Sequence, residues 1–311
     1  MHLTQVAWLL VPDFVLIGLG WVLCRHTPLN RPLWNGVERL VYHVLFPALL
    51  FESIVRHPLA PGAAWPLAVA ALAVTACGIA LALALSAWPG VDRRAHASGA
   101  QTAYRFNSYV ALALAARLGG SEGLAGMALL LAVCVPVVNV AAVWPLSRLA
   151  RQGGQGFLRE LVRNPLIGAT LAGLAFNGLG WRLPEVVATT CARLGSAALP
   201  LGLMAVGAGL TMGALREAPR LAAALLAIRH AVLPALAVAL VTWPALGLAA
   251  AQQQWVVAFS ALPTASSAYV LAVRLGGHGA YVAGLVTVST LLAMGGLPLA
   301  LAAWRWAAAV G

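Results

Sequence analysis

SALPTASSAYVLAVRLGG (260–277) is an apolar stretch interrupted at its centre by Pro263, Thr264, Ser266 and Ser267. Proline has no backbone donor and clashes with the preceding turn, so it opens or kinks a helix. Lipid offers no partner for the backbone groups that such an opening frees. A second stretch, TAYRFNSYVALALAARLGG (102–120), ends in the same four residues. Its Asn107 stands ten residues before Arg117, as Thr264 stands ten before Arg274. Two interrupted apolar segments in corresponding positions point to the binding site of a membrane carrier.

The chain has 311 residues, of which 62% are hydrophobic and 9% charged, with a mean hydropathy of +0.89. Soluble domains average about 25% charged residues, so an all-α integral membrane protein is expected. The net charge of +11 comes from arginine alone, without a single lysine. That excludes a Walker-type phosphate loop and a Schiff-base lysine. The arginines fall in short loops between apolar runs, which predicts a bilayer as partner and no nucleic acid. Cys24, Cys77, Cys134 and Cys191 are far apart, so neither a disulfide framework nor a metal site is expected. No cofactor is called for. The first apolar run lacks the basic start and cleavage site of a signal peptide and is expected to be retained. No metalloprotease or serine-elbow motif is present, so an enzyme is not expected.

Apolar runs predict ten spans, at about 5–24, 37–55, 64–87, 97–117, 123–147, 161–180, 186–212, 221–247, 252–275 and 280–306. Trp34, Trp65, Trp88, Trp144, Trp181, Trp243, Trp255 and Trp304 fall near proposed ends, as an interfacial belt would place them. Arginine concentrates in the odd-numbered connections, which predicts those loops inside the cell and both termini outside. Pro12, Gly20 and Pro47 recur 153 residues later as Pro165, Gly173 and Pro200. Arg117–Gly120 recurs 157 residues later as Arg274–Gly277. These offsets predict two five-helix repeats, 1–150 and 151–311. Five is odd, so the second repeat is inverted, with helices four and nine broken and crossing near mid-bilayer.

The candidate substrate residues are Asn107, Arg105 and Ser108 in helix four, and Pro263, Thr264, Ser266 and Ser267 in helix nine. Asn139 in helix five and Ser289 in helix ten flank them. The start of a half-helix carries partial positive charge, which suits a carboxylate. Arg105 is placed to attract an anion bidentately, to pair with a buried acid or to snorkel. Local hydroxyls satisfying a proline kink are the structural alternative. Asp13, Glu52 and His43 are candidates for proton or ion coupling, or Asp13 and Glu52 pair structurally with Arg193 or Arg229. Gly209, Gly213, Gly295 and Gly296 are expected at close helix contacts.

With LVYHVLFPALLFESI (41–54 and the flanking Leu40), RFNSYVALALA (105–115), VPVVNV (135–140), RNPLIGATLAGLAFN (163–177), LGSAALPLGLMAVGAGL (194–210) and ALPTASSAYVLA (261–272), the chain resembles the auxin efflux carrier family. That family includes plant PIN-type auxin carriers and bacterial malonate or malate carriers. The resemblance implies an inner-membrane carrier of a small mono- or dicarboxylate. It implies a scaffold of helices one, two, six and seven, a transport domain of the others, an elevator motion and a homodimer. The crossing asparagine of the family matches Asn107, and its proline matches Pro263. Tyr109, Leu112 and Leu114 stand where many members have Gly, Gly and Pro, so helix four is expected to be less broken. The alternative is a sodium- or proton-coupled carrier of a related, bile-acid-symporter-like fold with another substrate.

Overall fold

Apolar periodic runs with few charges give helices throughout. A computed structural model describes residues 3–56, 61–150, 165–211 and 215–310. Helix α1 (Leu3–His26) is followed by α2 (Arg31–Leu40), a π-helical turn (Val41–Leu45) and α3 (Phe46–Arg56). Next come α4 (Pro61–Ala84), α5 (Arg93–Gly99) with a 3₁₀ turn over Ala100–Ala103, and α6 (Ser108–Ala150). The second half contains α7 (Pro165–Gly178), α8 (Glu185–Gly209) and α9 (Pro219–Ala227). A π turn (Ile228–Val232) joins α9 to α10 (Leu233–Val241). The chain closes with α11 (Ala250–Ser260), α12 (Ser267–Arg274) and α13 (Gly279–Val310).

Among the described residues there is no strand beyond one isolated bridge. Among the described residues, five helices are long and apolar enough to cross a membrane: Ala64–Ala87, Ser108–Leu146, Glu185–Gly209, Pro219–Val241 and Gly279–Ala309. The eighth expected span ends at Val241 rather than at 247, and residues 161–164 of the sixth lie outside the described part. Pro244 lacks the donor that would carry that helix onward, and it opens a 3₁₀ turn instead. α6 is interrupted where Gly119 and Gly120 leave helical geometry, Gly120 at φ 53°.

Both π turns end two residues before a proline, Pro47 and Pro234. Each proline leaves the carbonyl four residues back without its usual donor, and the wider turn accommodates the ring. These turns hold Tyr42 and Arg229, which matter below.

Helices α1 and α8 approach backbone to backbone. A Cβ on Gly20 would lie 1.9 Å from the Met204 carbonyl oxygen, and one on Gly207 would lie 1.7 Å from that of Ile17. These contacts, not the Gly295–Gly296 pair, are where glycine is needed for packing. Gly295 faces open space, and the nearest atom to a Cβ on Gly296 is 3.8 Å away. Gly209 meets the Arg31 guanidinium, and Gly213 lies outside the described residues. Trp65, Trp88, Trp144, Trp181 and Trp243 are exposed, as an interfacial belt requires, but Trp34, Trp255 and Trp304 are buried. Trp255 fills the space left by Gly126 and Gly119 on α6.

Gly207→Val should cost about 1–3 kcal/mol or more, because backbone rather than a flexible side chain blocks the added carbons. Gly295→Ala should be neutral or stabilising by up to about 1 kcal/mol. Melting temperatures of the two variants in detergent check the contrast.

Candidate functional site

The two interrupted segments break side by side. Asp92 starts α5, its Oδ1 accepting the Ala95 N–H at 2.7 Å. After the 3₁₀ turn the chain leaves helical geometry at Tyr104 and resumes at Ser108. Its counterpart leaves α11 after Ser260 and resumes in α12 at Ser267. The non-helical pieces pair as a short antiparallel bridge, Phe106 opposite Thr264. The Asn107 N–H donates to the Pro263 carbonyl at 2.9 Å, and the Ala265 N–H donates to the Arg105 carbonyl at 3.3 Å. Pro263 supplies an acceptor only, which is the role this bridge gives it. The first segment is thus broken between Ala103 and Ser108 despite Tyr109, Leu112 and Leu114. Asn107 substitutes for the missing glycines: its Oδ1 accepts the N–H groups of Tyr109 and Val110, at 3.0 and 3.3 Å. An asparagine cap of this kind starts a helix afresh.

Thr264 is fully buried and serves as a pin. Its hydroxyl donates to the Thr102 carbonyl at 2.6 Å, and its N–H donates to Ser289 Oγ at 2.8 Å. Ser289 also lies 2.8 Å from His230 Nε2. Behind the crossing, buried Arg229 donates from Nε to the Leu262 carbonyl at 2.6 Å and from Nη2 to the Phe259 carbonyl at 3.4 Å. A cation at the C-terminal end of α11 suits the negative end of its dipole.

A cavity of about 570 Å³ opens at the crossing. Asn107, Ser108, Ser266 and Ser267 line it, so half-helices α6 and α12 both begin at its wall. Asn107 Nδ2 donates to Ser266 Oγ at 3.3 Å, which ties the two starts together. Ser266 makes no side-chain cap of its own. On the facing side are Arg31, Glu38 and Tyr42 from α2 and the π turn, and Val206, Ala208 and Gly209 from α8.

Of the sequence candidates, Asn107, Ser108, Ser266 and Ser267 reach the cavity, whereas Pro263, Thr264 and Ser289 support it from behind. Arg105 does not line it. Its Nη1 donates to Gln101 Oε1 at 2.8 Å and its Nη2 to Ser267 Oγ at 3.1 Å, linking the two broken segments. Asn139 is half-buried on α6, away from the cavity lining. The coupling candidates lie elsewhere too. Asp13 accepts from Arg117 Nε and Nη2 at 2.9–3.0 Å, Glu52 pairs with Arg56, and exposed His43 contacts the Arg39 carbonyl. The acids therefore pair structurally, with Arg117 and Arg56 rather than Arg193 or Arg229. Sequence reasoning missed Arg31, Glu38 and Tyr42. Arg31 reads as loop charge, and only the wrapping of α2 beside the crossing brings it in. Among the described residues no cluster of His, Cys, Asp and Glu can hold a metal.

Residues 148–301 match the family described as "Membrane transport protein". The chain is also 24% identical over 306 residues to a protein of Rhizobium meliloti (strain 1021) named "Putative malonate transporter". That similarity covers 94% of this chain and 93% of the other.

Arg229→Met should leave the Leu262 and Phe259 carbonyls short of donors inside the protein. The expected loss is about 1–3 kcal/mol for each unpaired group, read as a lower melting temperature in detergent. Arg229→Lys, with fewer donors but the same charge, should fall between the wild type and Arg229→Met.

Proposed function

We propose that the chain, which matches the membrane transport protein family over residues 148–301, is a transporter rather than an enzyme, a secondary carrier of a small organic anion bound at the crossing of its two broken helices. One observation carries this reading. Two half-helices start at the wall of one cavity, and Asn107, Ser108, Ser266 and Ser267 present donors there. Helix starts carry partial positive charge and unpaired N–H groups, and an anion satisfies both. The relative's name favours a dicarboxylate such as malonate over the alternative of a carrier of related fold with another substrate.

In this reading the chain forms ten spans in two inverted repeats, 1–150 and 151–311. α1, α2–α3, α7 and α8 make the scaffold, and the remaining helices make the moving unit. The contact pattern supports the division: α1 packs along α8, and α3 packs against α7 and α8. The cavity walls divide the same way, with Arg31, Tyr42 and Gly209 on one side and Asn107 and Ser266 on the other. The moving unit slides past the scaffold as an elevator, carrying the anion with it. The protein resides in the inner membrane as a homodimer joined through its scaffolds, with both termini outside. A reporter active only in the cytoplasm and fused to the C-terminus should therefore stay silent.

Asn107→Asp tests the anion site directly. Aspartate caps a helix as well as asparagine does, so folding should persist. Its charge opposes an incoming carboxylate, and uptake of labelled malonate into proteoliposomes should fall at least tenfold. Normal uptake by a folded Asn107→Asp protein would sink the proposed site.

A further inference from the structure

An anion that enters the crossing cavity needs a cation, and the broken helices do not supply one. Arg105 is buried between Gln101 and Ser267, and Arg229 is turned to backbone carbonyls. The cation that lines the cavity is Arg31, at the start of α2. Glu38, two turns further along the same helix, lines it as well. Arg31 Nη2 lies 3.2 Å from Glu38 Oε1, and the two side chains remain 44% and 30% exposed. Glu38 is the only carboxylate among the residues that line this cavity. The pair is therefore reachable from the space where the anion is proposed to bind, unlike the Asp13–Arg117 and Glu52–Arg56 pairs, which do not line the cavity and whose carboxylates are buried.

We propose that Arg31 and Glu38 form an exchange pair, in which a substrate carboxylate takes the Arg31 guanidinium and the displaced Glu38 takes up a proton from water. This rests on the reading of the cavity as an anion site. A substrate carboxylate and the Glu38 carboxylate are the same chemical group, so they compete for the same planar fork of donors. In the free protein Arg31 neutralises Glu38. After exchange Glu38 is half-buried, has lost its cation and faces a new negative charge. Desolvation and like-charge repulsion both favour its neutral acid. Each anion bound then brings one proton with it. Binding that takes up a proton strengthens as pH falls.

The other titratable groups at this cavity are phenols: Tyr42 from the π turn, Tyr109 from α6 and Tyr269 from α12. Phenols ordinarily titrate near 10. The α8 and α13 walls bring no titratable side chain to the lining. His43, next to Tyr42, is exposed and contacts the Arg39 carbonyl.

The test is calorimetric titration of malonate into the full-length protein in detergent. It is run from about pH 7 to about pH 8, where substrate carboxylates stay ionised and phenols stay neutral. Repeating it in two buffers of different ionisation enthalpy counts the protons. The wild type should take up close to one proton per malonate, and its affinity should fall up to tenfold over that interval. Glu38→Gln should take up none, bind with no pH slope and bind at least as tightly at the upper pH. Arg31→Gln should lose at least tenfold in affinity. Wild-type binding without proton uptake, or uptake that persists in Glu38→Gln, would overturn the exchange pair while leaving the anion site standing. Failure of the wild type to bind malonate, succinate or acetate would overturn the anion reading and the pair with it.

Discussion

The structure depends on one constraint: two helices that break inside an apolar protein must find partners for the backbone they free. They find each other. The bridge between Phe106 and Thr264 uses an N–H from each segment, and Pro263, which cannot donate, stands where only an acceptor is required. Other freed groups go to Asn107, which caps α6, to Ser289, which receives the Thr264 N–H, and to Arg229, which takes the Phe259 and Leu262 carbonyls at the end of α11. Asn107, Thr264, Ser289 and Arg229 are thus explained first as backbone partners.

This order separates what the sequence makes legible from what it hides. A proline among hydroxyls, and an asparagine at the same distance from a repeated RLGG, marked both breaks because backbone satisfaction is a local demand written in residue type. The completeness of the first break was not legible. The expectation rested on absent glycines, whereas the break relies on a capping asparagine and on a strand partner more than 150 residues away. Thr264 and Ser289 bond to each other outside the cavity lining; sequence spacing gives depth in a helix and not the side it faces. Arg31 and Glu38 were invisible for a related reason. They belong to α2, whose nearness to the crossing is a tertiary fact.

The glycines follow the same logic. In a membrane helix a glycine marks either a close approach or nothing, and the sequence alone does not choose. Gly20 and Gly207 sit where α1 and α8 touch backbone to backbone, while Gly295 meets nothing. The difference lies in which helices are neighbours.

Charge obeys the same constraint as backbone. The low-dielectric interior makes an unpaired charge costly, and the charges placed within the fold answer to partners: Asp13 to Arg117, Glu52 to Arg56, Arg105 to Gln101 and Ser267, Arg229 to carbonyls. If the cavity receives an anion, as proposed, it cannot leave a bare cation waiting in such surroundings. It can hold a cation already neutralised by an internal carboxylate that a guest is able to replace. Arg31 and Glu38, close enough to pair and both at the cavity wall, satisfy that requirement, whereas Asp13 and Glu52 are buried carboxylates whose ion pairs lie outside the cavity lining.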